Sequence, residues 1–169
     1  ASLSFTSGID STYKEYIWKF INIRPVTDAV NFTFQCSIDA GSNYNVTTTT
    51  TTFRAYQFEN NAVQNVSYDT ATDQAQGTAY QVIGKGLGNP AKSGYSGELH
   101  LFNPASTTYV KNFYSEANVY RLDSGVGYPE TNNWFTAGYF NDTNDITAIS
   151  YKMSSGNIAA GKIKMYGVK

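Results

Sequence analysis

The sequence of 169 residues is poor in the residue types that build disulfides and metal sites, since it contains one cysteine and one histidine. A single thiol excludes an intramolecular disulfide. One cysteine and one histidine also cannot supply the three or four thiolate or imidazole ligands of a usual zinc site. No apolar run approaches the roughly 20 residues that cross a bilayer as a helix. We therefore expect no metal, no cofactor and no membrane insertion.

Charge is also scarce, because 12 Lys/Arg and 13 Asp/Glu give a formal net charge of −1. The basic residues are scattered singly from Lys14 to Lys169. Nucleic-acid binding usually leaves a basic tract or patch, and the sequence shows none. A hydrophobic content of 41% is nevertheless too high for a typical disordered chain. The balance predicts a folded protein that binds no nucleic acid.

Aromatic residues are abundant: 14 Tyr, 10 Phe and 2 Trp stand against only five leucines. Aromatic side chains favour pleated, half-buried surfaces. A chain of this length buries roughly 70% of its unfolded surface, which supports a core without disulfides or metals. No linker, repeat or charge step divides the sequence. We expect one β-rich domain over residues 1–169. Because the chain begins at Ala1, we also expect it to be trimmed or to belong to something longer.

Alternating runs separated by turn residues predict about eight or nine strands and at most one short helix, near residues 72–76. Residues 13–23 predict a strand covered on both faces. Residues 30–38 predict a strand with one buried and one solvent face, and Cys36 lies on the buried face as a small hydrophobe. The other candidate strands are residues 44–58, 78–83, 98–102, 107–115, 134–140, 147–153 and 162–168, with residues 117–122 as an optional further strand. This pattern predicts an all-β, antiparallel, jelly-roll-like sandwich.

Two segments resemble catalytic or phosphate-binding motifs but lack their context. Residues 86–93 are similar to a GxxxxGK[ST] loop with Ala91 at the second glycine. The sequence after them leads into a strand rather than a helix, so a flexible surface loop is favoured, within the loop predicted for residues 84–97. His100 is the only imidazole available to a catalytic triad. Its parity opposite Leu99 and Leu101 places it on the outer face or on a face towards a second sheet, and a structural or surface role is favoured.

Acidic and amide residues cluster at 39–45 and 141–145. They offer oxygen ligands but do not match a calcium-binding loop, so ordinary turn chemistry is favoured. The separation of any two carboxylates, on which glycoside hydrolysis depends, cannot be read from the sequence. With no catalytic set, we predict that the chain is not an enzyme.

Exposed aromatic rings are the best candidates for recognition, because sugar rings stack on their faces while neighbouring amides bind hydroxyl groups. Loop positions are the most accessible. Residues 123–133 form a further predicted loop. We predict ligand contacts at four aromatic residues in or near loops: Tyr68, Tyr95, Tyr128 and Trp134.

Four stretches together resemble a known group of viral domains. They are residues 8–25 (GIDSTYKEYIWKFINIRP), 37–45 (SIDAGSNYN), 96–108 (SGELHLFNPASTT) and 152–168 (KMSSGNIAAGKIKMYGV). The chain is similar to terminal domains of structural proteins of tailed bacteriophages, notably marine ones, and the closing SSGNI and G-x-I-x-x-YG pattern is especially similar. The resemblance implies a jelly-roll-like module of a tail fibre, tail spike or capsid appendage. It also implies a virion location, other virion proteins as partners, a trimeric assembly and host-surface binding.

Three hypotheses of function follow. The first is a non-enzymatic module of an exposed virion appendage, a homo-oligomer with the trimer favoured, that binds a glycan on the host surface. The second keeps the fold but makes the protein a capsid decoration protein that cements shell subunits. The third is a secreted carbohydrate-binding module or a glycoside-active enzyme.

Overall fold

The computed structural model describes residues 1–122 and 127–169, and its described part is built of strands without any helix. Eleven strands lie in these two ranges. They are β1 (Ser2–Phe5), β2 (Glu15–Pro25), β3 (Val30–Ser37), β4 (Thr48–Phe58), β5 (Gln64–Tyr68), β6 (Gln81–Leu87), β7 (Gly94–Phe102), β8 (Lys111–Arg121), β9 (Glu130–Phe140), β10 (Ala148–Met153) and β11 (Ile158–Val168).

The strands form two antiparallel sheets that pack face to face as a sandwich. The smaller sheet has the order β1-β10-β3-β6, and the larger has the order β11-β2-β7-β8-β9-β4-β5. If the meander β7-β8-β9 is counted as one strand and the edge strand β11 is set aside, each sheet has four members. Their order is then that of an eight-stranded jelly roll. The predicted all-β, jelly-roll-like sandwich is confirmed, although the eleven described strands exceed the expected eight or nine.

Several predicted boundaries were wrong for identifiable reasons. The expected break near Glu116 is absent, and β8 runs unbroken because its inward side alternates smoothly through Ser115 and Ala117. The predicted helix near residues 72–76 is absent, and the segment begins with a turn in which Thr72 N donates to Asp69 O at 3.2 Å. The short edge strands β1 and β5 were missed, because Ser- and Asn-containing segments of four or five residues carry little hydrophobic signal.

Two predicted loops were also too long. Residues 84–97 contain the end of β6 and the start of β7, and the segment 86–93 therefore joins two strands. Of the loop predicted over residues 123–133, the last four residues belong to β9, while residues 123–126 lie outside the described part of the chain.

The core between the sheets is packed with aromatic rings. Phe20 of β2 contacts Phe32 and Tyr151 of the smaller sheet, with ring centroids 5.4 and 5.3 Å apart and steep interplanar angles. Phe34 meets Phe113 edge to face at 5.1 Å. Such pairs contribute about 0.5–1.5 kcal/mol each beyond their burial. These contacts join the two sheets.

Cys36 lies in the same core, fully buried as predicted. Burial raises the pKa of its thiol well above the ordinary value, because a thiolate would have no solvation there. The thiolate is the nucleophilic form of cysteine, so burial suppresses its reactivity.

The outer face of the smaller sheet is polar and yet covered, so the predicted solvent face of β3 was wrong. Gln35 has 0% exposure, and its side-chain amide donates to the carbonyl oxygens of Val46, Thr78 and Ala79 at 3.0–3.2 Å. Nearby, the Lys152 ammonium lies 3.8 Å from the centre of the Tyr80 ring. Connecting segments therefore close over this face.

The outer face of the larger sheet is uncovered, contrary to the prediction that the strand at residues 13–23 is covered on both faces. Trp18 and Phe20 on the inner side of β2 are buried, but Ile21 on its outer side is 39% exposed and Ile17 is half-buried. The expectation that β2 is covered on both faces was therefore wrong for its outer side.

Candidate functional site

Five rings form a continuous row on the uncovered face, and we call this row the ring stripe. Its members are Phe102 and His100 on β7, Tyr114 on β8, Phe135 on β9 and Phe53 on β4. These strands are adjacent in the sheet, and side chains at alternate positions share one face. Because neighbouring strands lie about 4.8 Å apart, the stripe extends over roughly 15 Å.

The rings of the stripe lie nearly parallel to one another. His100 stacks on Tyr114 with centroids 4.4 Å apart and an angle of 11°. Tyr114 and Phe135 are 6.1 Å apart at 13°, and Phe135 and Phe53 are 5.0 Å apart at 29°. Phe53 and Phe102, at the two ends, are 43% and 37% exposed. The stripe is therefore a row of stacked rings, fixed by its own ring contacts and exposed at both ends.

His100 is held at the stripe by two carboxylates. Its Nδ1 lies 2.5 Å from Glu15 Oε1, and its Nε2 lies 2.9 Å from Glu98 Oε1. Lys19 pairs with Glu98 from the neighbouring strand. Because Lys19 and then His100 donate to it, the pKa of Glu98 is lowered from its ordinary value. This network joins β2 to β7, in agreement with the structural role predicted for His100.

Polar side chains flank the stripe on the same face. Ser96, Asn118 and Asn133 lie in register across β7, β8 and β9. Asn118 donates to Thr131 Oγ1 at 2.8 Å, and Asn133 donates to Glu116 Oε1 at 3.3 Å. Exposed amides and hydroxyls of this kind can exchange hydrogen bonds with the hydroxyl groups of a ligand whose ring lies on the stripe.

The four aromatic residues predicted to contact a ligand fall into two groups. Tyr68 and Tyr128 are 51% and 53% exposed, as expected, and Tyr68 lies directly opposite Phe53, next to the stripe. Tyr95 and Trp134 are 0% and 1% exposed. The expectation of exposure was therefore wrong for Tyr95 and Trp134, which cannot stack on a ligand from the interior. For Tyr68 and Tyr128 a ligand contact stays a prediction.

Strand parity explains why Tyr95 and Trp134 are buried. Tyr95 lies inside β7, although its glycine-rich surroundings resemble a loop, and its ring occupies space over Gly84. A Cβ atom at Gly84 would lie 2.7 Å from that ring. Trp134 lies on the inner side of β9, since strand pairing places it in register with Ala117 of β8. The outward neighbour of Trp134 is Phe135, a member of the ring stripe.

The other functional features sought in the sequence have simple outcomes. Within residues 1–122 and 127–169 there is no group of three His, Cys, Asp or Glu side chains placed to hold a metal ion. The same residues contain no helix long and apolar enough to span a membrane. Asp39 in the first acidic cluster accepts bonds from Ser37 and Asn43, which lower its pKa to about 2. These bonds are local turn contacts, as expected for that cluster.

Comparison with known proteins adds no relative to this picture. No family model matches the chain, and neither the curated proteins nor the solved structures include a significant match. The fold is therefore defined by its own strand order, and the candidate site by its own geometry.

Proposed function

We propose that the chain is a non-enzymatic binding module of a bacteriophage virion, and that the outer face of its larger sheet binds a glycan on the host surface. The observation that carries the binding function is the ring stripe. The negatively polarised faces of aromatic rings attract the positively polarised C–H groups of a sugar ring. Stacking covers ring faces within the stripe, so the faces available to a sugar are those of the exposed end rings Phe53 and Phe102, with amide groups beside the stripe.

The virion assignment rests on the sequence resemblance in residues 8–25, 37–45, 96–108 and 152–168. A rigid sandwich suits an exposed appendage, because the frame keeps a binding surface in place while its loops vary. In this proposal the module is a homotrimer alongside other virion proteins. Mass measurement of the chain in solution tests the trimer, and a particle map tests its position on the virion.

The binding proposal is tested by replacing rings at the exposed half of the stripe. In the variant Phe53→Ala/Phe135→Ala, two stacked rings are lost while the inner face of the sheet is unchanged. We expect its affinity for the strongest-binding polysaccharide on an array of bacterial surface glycans to fall about tenfold or more, since aromatic contacts contribute about 0.5–1.5 kcal/mol each. Isothermal titration calorimetry measures the change.

The matched control is Tyr109→Ala. Tyr109 is 68% exposed, lies outside the strands and takes part in none of the ring contacts that define the stripe. Its removal should leave affinity within twofold of the parent, which corresponds to about 0.4 kcal/mol. Equal affinity of the stripe variant and the parent, with both folded, would refute glycan binding by the stripe.

A further inference from the structure

A basic groove lies at one corner of the same outer face, where β2, β7 and β11 meet. Its polar lining includes five side chains: Asn22, Arg24, Lys92, Lys162 and Lys164. Within the described part of the chain, no carboxylate forms an ion pair with any of the three lysines. Four of the twelve Lys/Arg residues thus gather around one depression, although they are scattered along the sequence.

The groove is shaped by irregularities in three neighbouring strands. The β2–β11 register shifts twice between Ile158 and Lys162, and the β2–β7 register shifts between Phe20 and Ile23. Asn22 has a φ of 51°, which is uncommon for a residue with a side chain. Such bulges are over-represented at sheet edges and next to binding sites, where they redirect side chains.

Gly161 permits the close approach of β11 to β2 at this point. Its φ is 111°, and a Cβ atom there would lie 2.7 Å from Asn22 O and from Ile23 Cα. A side chain at position 161 would therefore push the two strands apart. The lysines at positions 162 and 164 follow directly, on the outward side of β11.

When no ligand is bound, the order of charges across the outer face destabilises the sheet. Lys164 lies directly opposite Lys19, Lys19 opposite Glu98, and Glu98 opposite Glu116. Like charges directly opposite each other in a sheet are destabilising, whereas an alternating order would stabilise. Lys19 has Glu98 as a partner, but Lys164 faces another cation. A bound anion would relieve this repulsion.

Two further cations line the groove, and neither forms a direct ion pair with a carboxylate in the described part of the chain. Arg24 Nη1 donates to Asn89 O at 2.7 Å, which orients the guanidinium and leaves its other N–H groups for a ligand. Lys92 lies with its ammonium 5.5 Å from the centre of the Tyr120 ring. An aromatic ring attracts a cation but does not cancel its charge.

We propose that the basic groove binds an anionic substituent, a carboxylate, sulfate or phosphate, of the polysaccharide that lies on the ring stripe. This inference rests on the proposed function, because it names the charge class of that glycan. The row from Lys164 through Lys19 and Glu98 to Glu116 and Phe135 connects the groove with the stripe across adjacent strands. One sugar chain can therefore contact both features.

The test uses one sugar backbone in a charged and an uncharged form: polygalacturonate and its fully methyl-esterified derivative. The variant Lys162→Gln/Lys164→Gln should lose about tenfold in affinity for polygalacturonate, because it removes two ammonium groups that donate to the anion. Its affinity for the methyl ester should stay within twofold of the parent. Biolayer interferometry on immobilised polysaccharide measures both values.

The matched control is Lys14→Gln/Lys169→Gln. It removes the same number of positive charges just beyond the ends of β2 and β11 that lie away from the groove. It should retain affinity for polygalacturonate within twofold. Equal losses in the two lysine pairs would show a general charge effect and overturn the groove proposal, as would no loss in either. If the parent does not bind polygalacturonate, the groove proposal is overturned for carboxylates. The same comparison of variants with dextran sulfate and with phosphomannan then tests it for sulfate and for phosphate.

The stripe variant Phe53→Ala/Phe135→Ala separates this proposal from the proposed function. If that variant binds the methyl ester as tightly as the parent does, the stripe is not the glycan site. If polygalacturonate still depends on Lys162 and Lys164, the groove binds the anion by itself. Thermal unfolding checks that every variant is folded, and removing Lys164 from beside Lys19 should not lower the melting temperature.

Discussion

The outer faces of the two sheets differ in polarity and in exposure. On each sheet the polarity of the outer face is the reverse of what its exposure to solvent would favour. The smaller sheet turns Thr33, Gln35 and Ser37 outward, yet all three are buried beneath connecting segments. The larger sheet turns Phe53 and Phe102 outward, yet both contact solvent. Polar groups are covered and aromatic rings are bare. Burial of the polar face serves folding, since its groups bond to the segments above, whereas the bare rings add little to stability and are available for a ligand.

The largest expected effect of a single polar change is at the covered face. Gln35→Ala removes a buried amide that bonds to three backbone carbonyl oxygens and leaves those acceptors without this donor. A buried polar group left unsatisfied costs about 1–3 kcal/mol, so we expect the free energy of unfolding to fall by about 3 kcal/mol. Urea denaturation followed by circular dichroism measures this change.

Asn118→Ala is the corresponding change on the bare face. Its amide donates to Thr131 Oγ1, but both groups are exposed to water. Surface substitutions of this kind usually change stability by less than about 0.5 kcal/mol. A similar loss in both variants would mean that the two faces do not differ in the way described.

A smaller effect is expected from acid at the ion-pair network beside the stripe. The folded pKa of Glu98 is lowered, mainly by Lys19. Its ionised form therefore adds stability above the ordinary value of 4.5, and this contribution is lost as pH falls through the lowered folded pKa. Because the pair is partly exposed, the effect is limited to a fraction of about 1 kcal/mol.

Lys19→Gln tests this pH dependence. The difference in melting temperature between the parent and the variant should be greatest near pH 6 and should shrink as pH falls into the acid range. A constant difference from pH 6 to pH 2 would show that Lys19 does not act through the Glu98 carboxylate. The melting curves need low salt, because salt screens exposed pairs.

The sequence allowed the class of fold and some strand faces to be predicted, but not which face would be covered. Alternation identified residues 30–38 and 98–102 as strands and placed His100 on the side opposite Leu99 and Leu101. Both predictions depend only on residues close together in the sequence. The cover over Gln35 comes from acceptors 11, 43 and 44 residues away along the chain. Periodicity within a strand carries no information about such distant segments.

The candidate site could not be predicted from the sequence for a related reason. Phe53 and Phe135 form a pair only because β4 and β9 are neighbours in the sheet. Tyr95 was misplaced because the glycines around it resemble a loop, whereas Gly84 provides space for its buried ring. The basic groove likewise depends on separate segments of the chain, since Lys162 and Lys164 belong to β11, Arg24 to β2 and Lys92 to the connection between β6 and β7.

The most direct test of the central claim, that the bare aromatic face is the binding surface, is an NMR titration of the labelled chain. The ligand is a trisaccharide cut from the polysaccharide that binds most strongly on the array. The account predicts that shift changes concentrate at the ring stripe, including Tyr114 and Phe135, while Gln35 and Tyr80 on the covered face stay unchanged. Shift changes confined to the covered face, or no polysaccharide bound at all, would contradict it.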